Sequence, residues 1–271
     1  MLTKWLTAYM LFFVVVQCFA GNIDTGLFAF PIGFALAVAA IAVLYVLERE
    51  RGQAKWLVAM RSPKMACALL SLTTAACIAV GSVPSLSPFS TSWPFVALLV
   101  ALAMHLTLVV IHRLRSFSLK RDGAFMAVHG GLWLALACGL VGAADTSELR
   151  TMVTTDHETT KAFDPQGRAV PLPYALQLRD FSIERNKADG SPTQYAATVA
   201  IDGKPTRLAV NSPYQMSMSE DIYLMSFDAR GSQANRVSCV LQIVRQPLKY
   251  PMLAGIVLLL AGVVFNLKRL I

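Results

Sequence analysis

The stretch His129–Ser147, HGGLWLALACGLVGAADTS, decides how the chain is organised. It begins inside an apolar helix that carries a histidine and two adjacent glycines. It ends in Ala-Asp-Thr-Ser, where a polar, strand-patterned segment begins and runs to residue 250. A second apolar run, Pro251–Leu267, closes the chain. A histidine within an apolar span is uncommon, because a polar ring in hydrocarbon needs a partner. The stretch therefore reads as a membrane helix feeding a large extramembrane insert, with a candidate ligand on the helix.

Working outward, the same apolar character recurs. The chain of 271 residues is 55% hydrophobic and only 15% charged, where about 25% charge is usual for a soluble domain. Six spans stand out: Trp5–Ala20, Leu27–Leu47, Met65–Val83, Trp93–His112, Ala124–Ala143 and Pro251–Leu267. None contains an acidic or basic side chain. The middle four approach the ~20 residues that a helix needs to cross ~30 Å of hydrocarbon; the first and last are shorter. Lys4, an apolar run and Cys18-Phe19-Ala20 also resemble a cleavable signal peptide. With or without cleavage, residue 21 lies on the outer side.

A net charge of +8 would suit a nucleic-acid surface, but its distribution serves topology. Lys4, Arg49, Arg51, Lys55, Arg61, Lys64, Arg113, Arg115, Lys120, Arg121, Lys268 and Arg269 fall in one set of short connections. The opposite connections, Gly21–Gly26 and Pro84–Ser92, contain no Lys or Arg. This alternation is the positive-inside pattern. It predicts a cytoplasmic basic side and a periplasmic segment 144–250, in which acidic and basic residues are equal in number.

The expected fold is a polytopic α-helical membrane protein of about six transmembrane helices with an inserted extracytoplasmic all-β domain. Its parts are 1–143, a membrane domain of five helices; 144–250, a sandwich-like or open-barrel β domain; and 251–271, a last helix with a short tail. The predicted strands are Tyr174–Ile183, Gln194–Ile201, Thr206–Val210, Ile222–Phe227 and Val237–Val244. Asp202-Gly203 predicts a tight primed turn between the second and third. Asp189-Gly190 and Asn211-Ser-Pro213 punctuate the rest. Segment Glu48–Lys64 reads as a solvated interfacial turn.

The chemistry-bearing residues are few. His129 lies about five residues inside the basic end of its span, ~8 Å deep at 1.5 Å per residue. Gly130 and Gly131 beside it allow a close helix approach or room for a flat ligand. His105, in the preceding span, lies ~10 Å from the same end. A short basic loop joins these spans, so they read as antiparallel neighbours with histidines at similar depth. Two imidazoles there suit a haem iron, and they equally suit hydrogen bonds to neighbouring carbonyls. His112 reads as an interfacial anchor, and His157, in Thr155-Asp-His-Glu158, as part of a solvated turn.

Cys18, Cys67, Cys77 and Cys138 lie in apolar spans and read as packing residues, while Cys239 is alone in the outer segment. No pair forms C-x-x-C, so zinc, thiol redox and covalent haem attachment to this chain are disfavoured. Hydrolase, metalloprotease and P-loop motifs are missing as well.

Taken together, the segments resemble the ResB family (the CcsB type) of system II cytochrome c maturation, over roughly Gly123 to Ile271. The resemblance rests on Val128-His129-Gly-Gly-Leu-Trp133, then Gly139-Leu-Val-Gly-Ala-Ala-Asp145 and Leu172-Pro-Tyr-Ala-Leu-Gln-Leu-Arg-Asp-Phe181. It continues through Tyr195 to Gly203, Val210-Asn-Ser-Pro213, Ile222-Tyr-Leu-Met-Ser-Phe-Asp228 and Tyr250-Pro-Met-Leu-Ala-Gly255. The chain is short for that family, and its first two spans depart from the pattern. The resemblance implies a non-enzymatic subunit in the bacterial inner membrane that handles haem b, with His129 matching the transmembrane haem ligand and His105 as a second candidate. The implied partners are a CcsA-type polytopic protein with a tryptophan-rich haem motif, apocytochrome c and membrane lipid. The alternative is a membrane-anchored scaffold whose β domain binds a protein without haem.

Overall fold

A computed structural model of the chain describes residues 2–185, 192–228 and 238–268. The chain divides into two compact units, Met1–Asp145 with Leu248–Ile271, and Thr146–Pro247.

The first unit is helical: α1 (Leu2–Ala20), α2 (Ile32–Arg51), α3 (Lys55–Met60), α4 (Pro63–Ser82), α5 (Trp93–Leu114), α6 (Leu119–Gly142) and α7 (Lys249–Lys268). Five of these, α2, α4, α5, α6 and α7, are long and apolar enough to cross a membrane; α1 is apolar but shorter. Starts are marked by local chemistry. Ser62 and Ser92 each accept a backbone N–H three residues on, from Met65 and Phe95, and proline sits in the first turn of α4 and α5. These contacts satisfy donors that a helix start leaves open.

The central helix is α5, which packs against α1, α2, α4 and α6. Its Leu98, Ala101, Leu102 and Leu106 form a core with Met65 and Leu69 of α4, and with Leu132, Trp133 and Leu136 of α6 against its edge. Helix α7 lies along α6 at backbone distance. A Cβ added at Gly131 would stand 2.5 Å from the Leu259 nitrogen, and one at Gly255 would stand 2.6 Å from the Ala135 nitrogen. Glycine permits that approach, and dispersion between close backbones holds helices together in lipid. Of the two adjacent glycines, Gly131 makes this contact and Gly130 faces open space. The large apolar side chains left outside, such as Leu36, Val43, Leu72, Ile78, Leu260 and Val264, form the lipid-facing surface of a membrane protein.

One expectation is corrected here. The segment Glu48–Lys64 is not merely solvated. It forms α3, whose Leu57 is fully buried with Leu44 and Leu108, and it encloses the Glu48 carboxylate. Buried apolar surface on both sides of the segment outweighs its mixed charge.

The second unit is one antiparallel sheet of eight strands: β1 (Ser147–Thr154), β2 (Thr159–Phe163), β3 (Ala169–Arg185), β4 (Pro192–Ile201), β5 (Lys204–Ala209), β6 (Tyr214–Ser217), β7 (Glu220–Asp228) and β8 (Ser238–Arg245). The order is β5-β4-β3-β2-β1-β8-β7-β6. The two edge strands are consecutive in the chain and are bridged at Ala209–Ser212. The sheet therefore curls around a single core containing Leu149, Leu176, Leu178, Val199, Leu208, Leu241 and Ile243. This is the open-barrel form of the expected β domain, with no second sheet among the described residues.

The apolar alternation in β3 changes phase after Leu178, and the structure places a register shift between Leu178 and Asp180. The extra residue turns Phe181 back toward the core. Asp202 and Gly203 take φ of 48° and 78°, the geometry of a primed hairpin turn. Strands β1, β2 and β6 were not among the expected ones. The Asp189-Gly190 punctuation and Val237 lie outside the described residues, as does Arg269 of the basic tail.

A polar cluster closes one end of this unit. The Tyr174 hydroxyl donates to Glu220 Oε1 at 2.5 Å, and Arg245 Nε donates to Glu220 Oε2. Tyr174 and Glu220 are both buried. Burial, reinforced by the adjacent carboxylate, pushes the Tyr174 phenol well above its ordinary pKa.

Candidate functional site

The two span histidines sit on the adjacent helices α5 and α6 and lie within electrostatic range of each other. His105 is buried on the central helix, 3% exposed, and its Nδ1 is 2.6 Å from the carbonyl oxygen of Met60. His129 is half-buried, and its Nδ1 is 2.9 Å from the carbonyl oxygen of Phe125, one turn earlier in α6. A carbonyl only accepts, so in each ring Nδ1 carries a hydrogen, and in the neutral ring the lone pair is on Nε2. This is the tautomer that a metal-ligating imidazole needs, held by the backbone hydrogen bond that commonly fixes such rings.

The two sites differ in access. The enclosed His105 ring has a structural task already, tying α5 to the end of α3. An incoming group reaches its Nε2 only if surrounding side chains move. His129 is the open member of the pair. Its ring stacks on Phe125, centroids 3.9 Å apart, and Gly130 beside it leaves open space. Of the two rings, His129 is thus the one less enclosed by its surroundings.

Three polar features around the pair escaped the sequence reading. Trp133 Nε1 donates to Thr107 Oγ1 at 2.8 Å, and that hydroxyl donates to the Ala103 carbonyl at 2.7 Å. This relay links α6 to α5 between the turns that carry the histidines. At the basic end, Glu48 is fully buried and paired with Arg61 at 2.6 Å and His112 Nδ1 at 2.7 Å. His112, expected as an interfacial anchor, therefore has a specific acidic partner. Asp122, also fully buried, accepts from Arg113 at 2.6 Å, from Arg121 at 2.9 Å and from the Ser118 backbone N–H at 2.9 Å. The Arg113 guanidinium carbon lies 5.2 Å over the Phe125 ring. The signal available in the sequence was an acid at a span boundary beside arginines, as at Glu48 and Asp122.

His157 lies in the turn after β1, its Nδ1 3.3 Å from Thr154 Oγ1. Among the described residues, no group of three or more His, Cys, Asp or Glu converges as a metal site. Cys239 is buried in the β core, which pushes its thiol pKa up to about 11.

No curated protein matches the chain. Residues 118–240, which contain α6 with His129 and most of the β unit, match the model of the ResB-like family. That match is consistent with a ResB/CcsB-type protein and points to a role related to cytochrome c biogenesis.

Proposed function

We propose that the chain is a non-catalytic membrane subunit of a system II cytochrome c maturation complex. In this reading it holds haem b transiently at His129 during outward passage and helps present it to apocytochrome c. The observation that carries the reading is the state of His129. Its Nδ1–H is committed to the Phe125 carbonyl, so Nε2 offers a lone pair from a half-buried ring on a helix inside the family match. Haem iron supplies the acceptor for such a lone pair. The residues of the chain do the rest: Phe125 holds the imidazole plane, Gly130 keeps the adjacent surface clear, and the Trp133–Thr107 relay fixes α6 against α5.

The tryptophans Trp5, Trp56, Trp93 and Trp133 are dispersed and no C-x-x-C is present, so thioether formation is assigned to a CcsA-type partner. The basic connections favour the cytoplasmic side of the inner membrane, which puts the β unit in the periplasm. Protease added to intact spheroplasts then cuts within 144–250 and spares Arg113–Arg121.

The test is an absorption spectrum of the purified chain, alone and with its polytopic partner, for wild type, His129→Ala and His105→Ala. The expected result is an imidazole-ligated haem spectrum lost in His129→Ala and partly restored by added imidazole. His105→Ala matches that loss if one chain supplies both axial ligands, and is milder if the partner supplies the second. A wild-type spectrum and normal cytochrome c haem staining in His129→Ala overturn the assignment.

A further inference from the structure

We propose that Arg113 is the carboxylate-binding group of the histidine site, and that it receives the propionates of the porphyrin. The inference rests on the haem-handling reading and deepens it, from a different observation.

That observation is an unused donor. Nε of Arg113 is buried and has no hydrogen-bond partner, one of three such side-chain atoms among the described residues. A guanidinium carries five donors in a planar fork. Here Asp122 engages Nη2, 2.6 Å away. Asp122 cannot also serve Nε, because its two oxygens already receive Arg121 Nε, Arg121 Nη2 and the Ser118 N–H. Two guanidinium charges, Arg113 and Arg121, thus face one carboxylate. The local balance leaves one positive charge, and the Arg113 side chain, 41% exposed, can turn its unmatched Nε toward an additional acceptor. With Nη2 held by Asp122, a further carboxylate can accept from Nε in one charge-assisted hydrogen bond.

The position ties this donor to the histidine. The Arg113 guanidinium lies over Phe125, and the Phe125 ring stacks on His129. A flat apolar ligand held at His129 with anionic arms on one edge therefore has its cation at the basic end of the same helix pair. Arg49 and Arg51, elsewhere on that side, are solvent-exposed and have no such link to α6. Arginine is suited to the role because a guanidinium stays charged at any physiological pH.

Metal-free protoporphyrin IX separates this claim from histidine ligation, since it lacks the iron. The purified full chain in detergent is titrated with protoporphyrin IX and with its dimethyl ester, followed by quenching of tryptophan fluorescence. The expected result is at least about tenfold tighter binding of the diacid by wild type, the scale of one charge-assisted hydrogen bond. In Arg113→Gln the diacid weakens by about that factor, the diester does not change, and Arg113→Lys lies between. Equal affinities for diacid and diester in wild type overturn the proposal without any variant, as does an unchanged diacid affinity in Arg113→Gln. His129→Ala keeps the diacid preference while losing ligated haem. A wild-type haem complex lacking imidazole ligation, beside an intact diacid preference, removes the histidine reading and leaves the Arg113 site standing. Failure of wild type to bind either porphyrin removes the Arg113 proposal, while histidine ligation is judged by the haem spectrum alone.

Discussion

Gly130 and Gly131 are chain neighbours with opposite surroundings, and a single methyl group distinguishes them. At Gly131 an added Cβ would lie 2.5 Å from the Leu259 nitrogen and 2.6 Å from the Gly255 oxygen. Ordinary contacts begin near 3.4 Å, so α7 must retreat by about 1 Å to admit it. Both obstructing atoms are backbone, so no rotamer change relieves the clash. Overpacking of this kind costs about 1–3 kcal/mol. At Gly130 nothing lies within 4 Å, and alanine in an open helix interior gains roughly 0.5–1 kcal/mol over glycine. Gly131→Ala and Gly130→Ala should therefore depart from wild type in opposite directions and differ by about 1.5–4 kcal/mol. Gly255→Ala should resemble Gly131→Ala, since its Cβ would meet the Ala135 nitrogen at 2.6 Å and the Gly131 oxygen at 2.8 Å. The double variant should cost less than the two singles together, because the first methyl already moves α7. The assay is reversible unfolding in mixed micelles of rising SDS fraction. Equal midpoints for Gly131→Ala and wild type, or an equal loss in Gly130→Ala, refute the backbone-contact reading.

Three further outcomes are expected. Tyr174→Phe should destabilise the β unit by about 1–3 kcal/mol by removing the donor to Glu220 Oε1, which leaves Arg245 as the carboxylate's remaining partner. Because the folded phenol titrates above its unfolded value, wild-type stability from this group is present below about pH 10 and falls as pH rises further. Near-ultraviolet circular dichroism should show that alkaline loss in wild type and a smaller one in Tyr174→Phe. Glu48→Ala should cost about 3–5 kcal/mol, since Arg61 and His112 lose a fully buried partner; a midpoint within 1 kcal/mol of wild type would mean that water replaces the carboxylate. Cys239 should resist iodoacetamide at neutral pH until the β unit unfolds, as its 0% exposure and raised thiol pKa require. Mass spectrometry of the Cys239 peptide reads this, and rapid labelling without denaturant contradicts it.

Much of this was legible in the sequence because it rests on period and local chemistry. Apolar runs marked the long helices, and Asp202-Gly203 marked a hairpin by its need for positive φ. The bulge in β3 after Leu178 was not foreseen, because Phe181-Ser-Ile183 reads as a continuation of the same strand. Strand β2 was illegible, because Thr-Thr-Lys-Ala-Phe turns only Ala162 into the core and shows no alternation. Strand β6 is four residues long, too short for a period. At the site, the adjacency of α5 and α6, which carry His105 and His129, followed from span order and loop length. Their difference in access did not, because it depends on α3 folding back to offer the Met60 carbonyl. Nor could the sequence foretell that Arg113 would leave Nε unmatched, which depends on how Asp122 distributes its two oxygens.

The chain enters and leaves the β unit on strands that are direct neighbours. Ser147 of β1 is paired with Arg245 of β8. On the helical side, Leu248 packs against Gly142. Each unit thus closes on itself at the point where the other was spliced in. The β unit is a guest in a helical hairpin, and its excision asks only that two adjacent ends be rejoined by a few residues. Such a guest can be cut out or replaced without disturbing the helix contacts of its host.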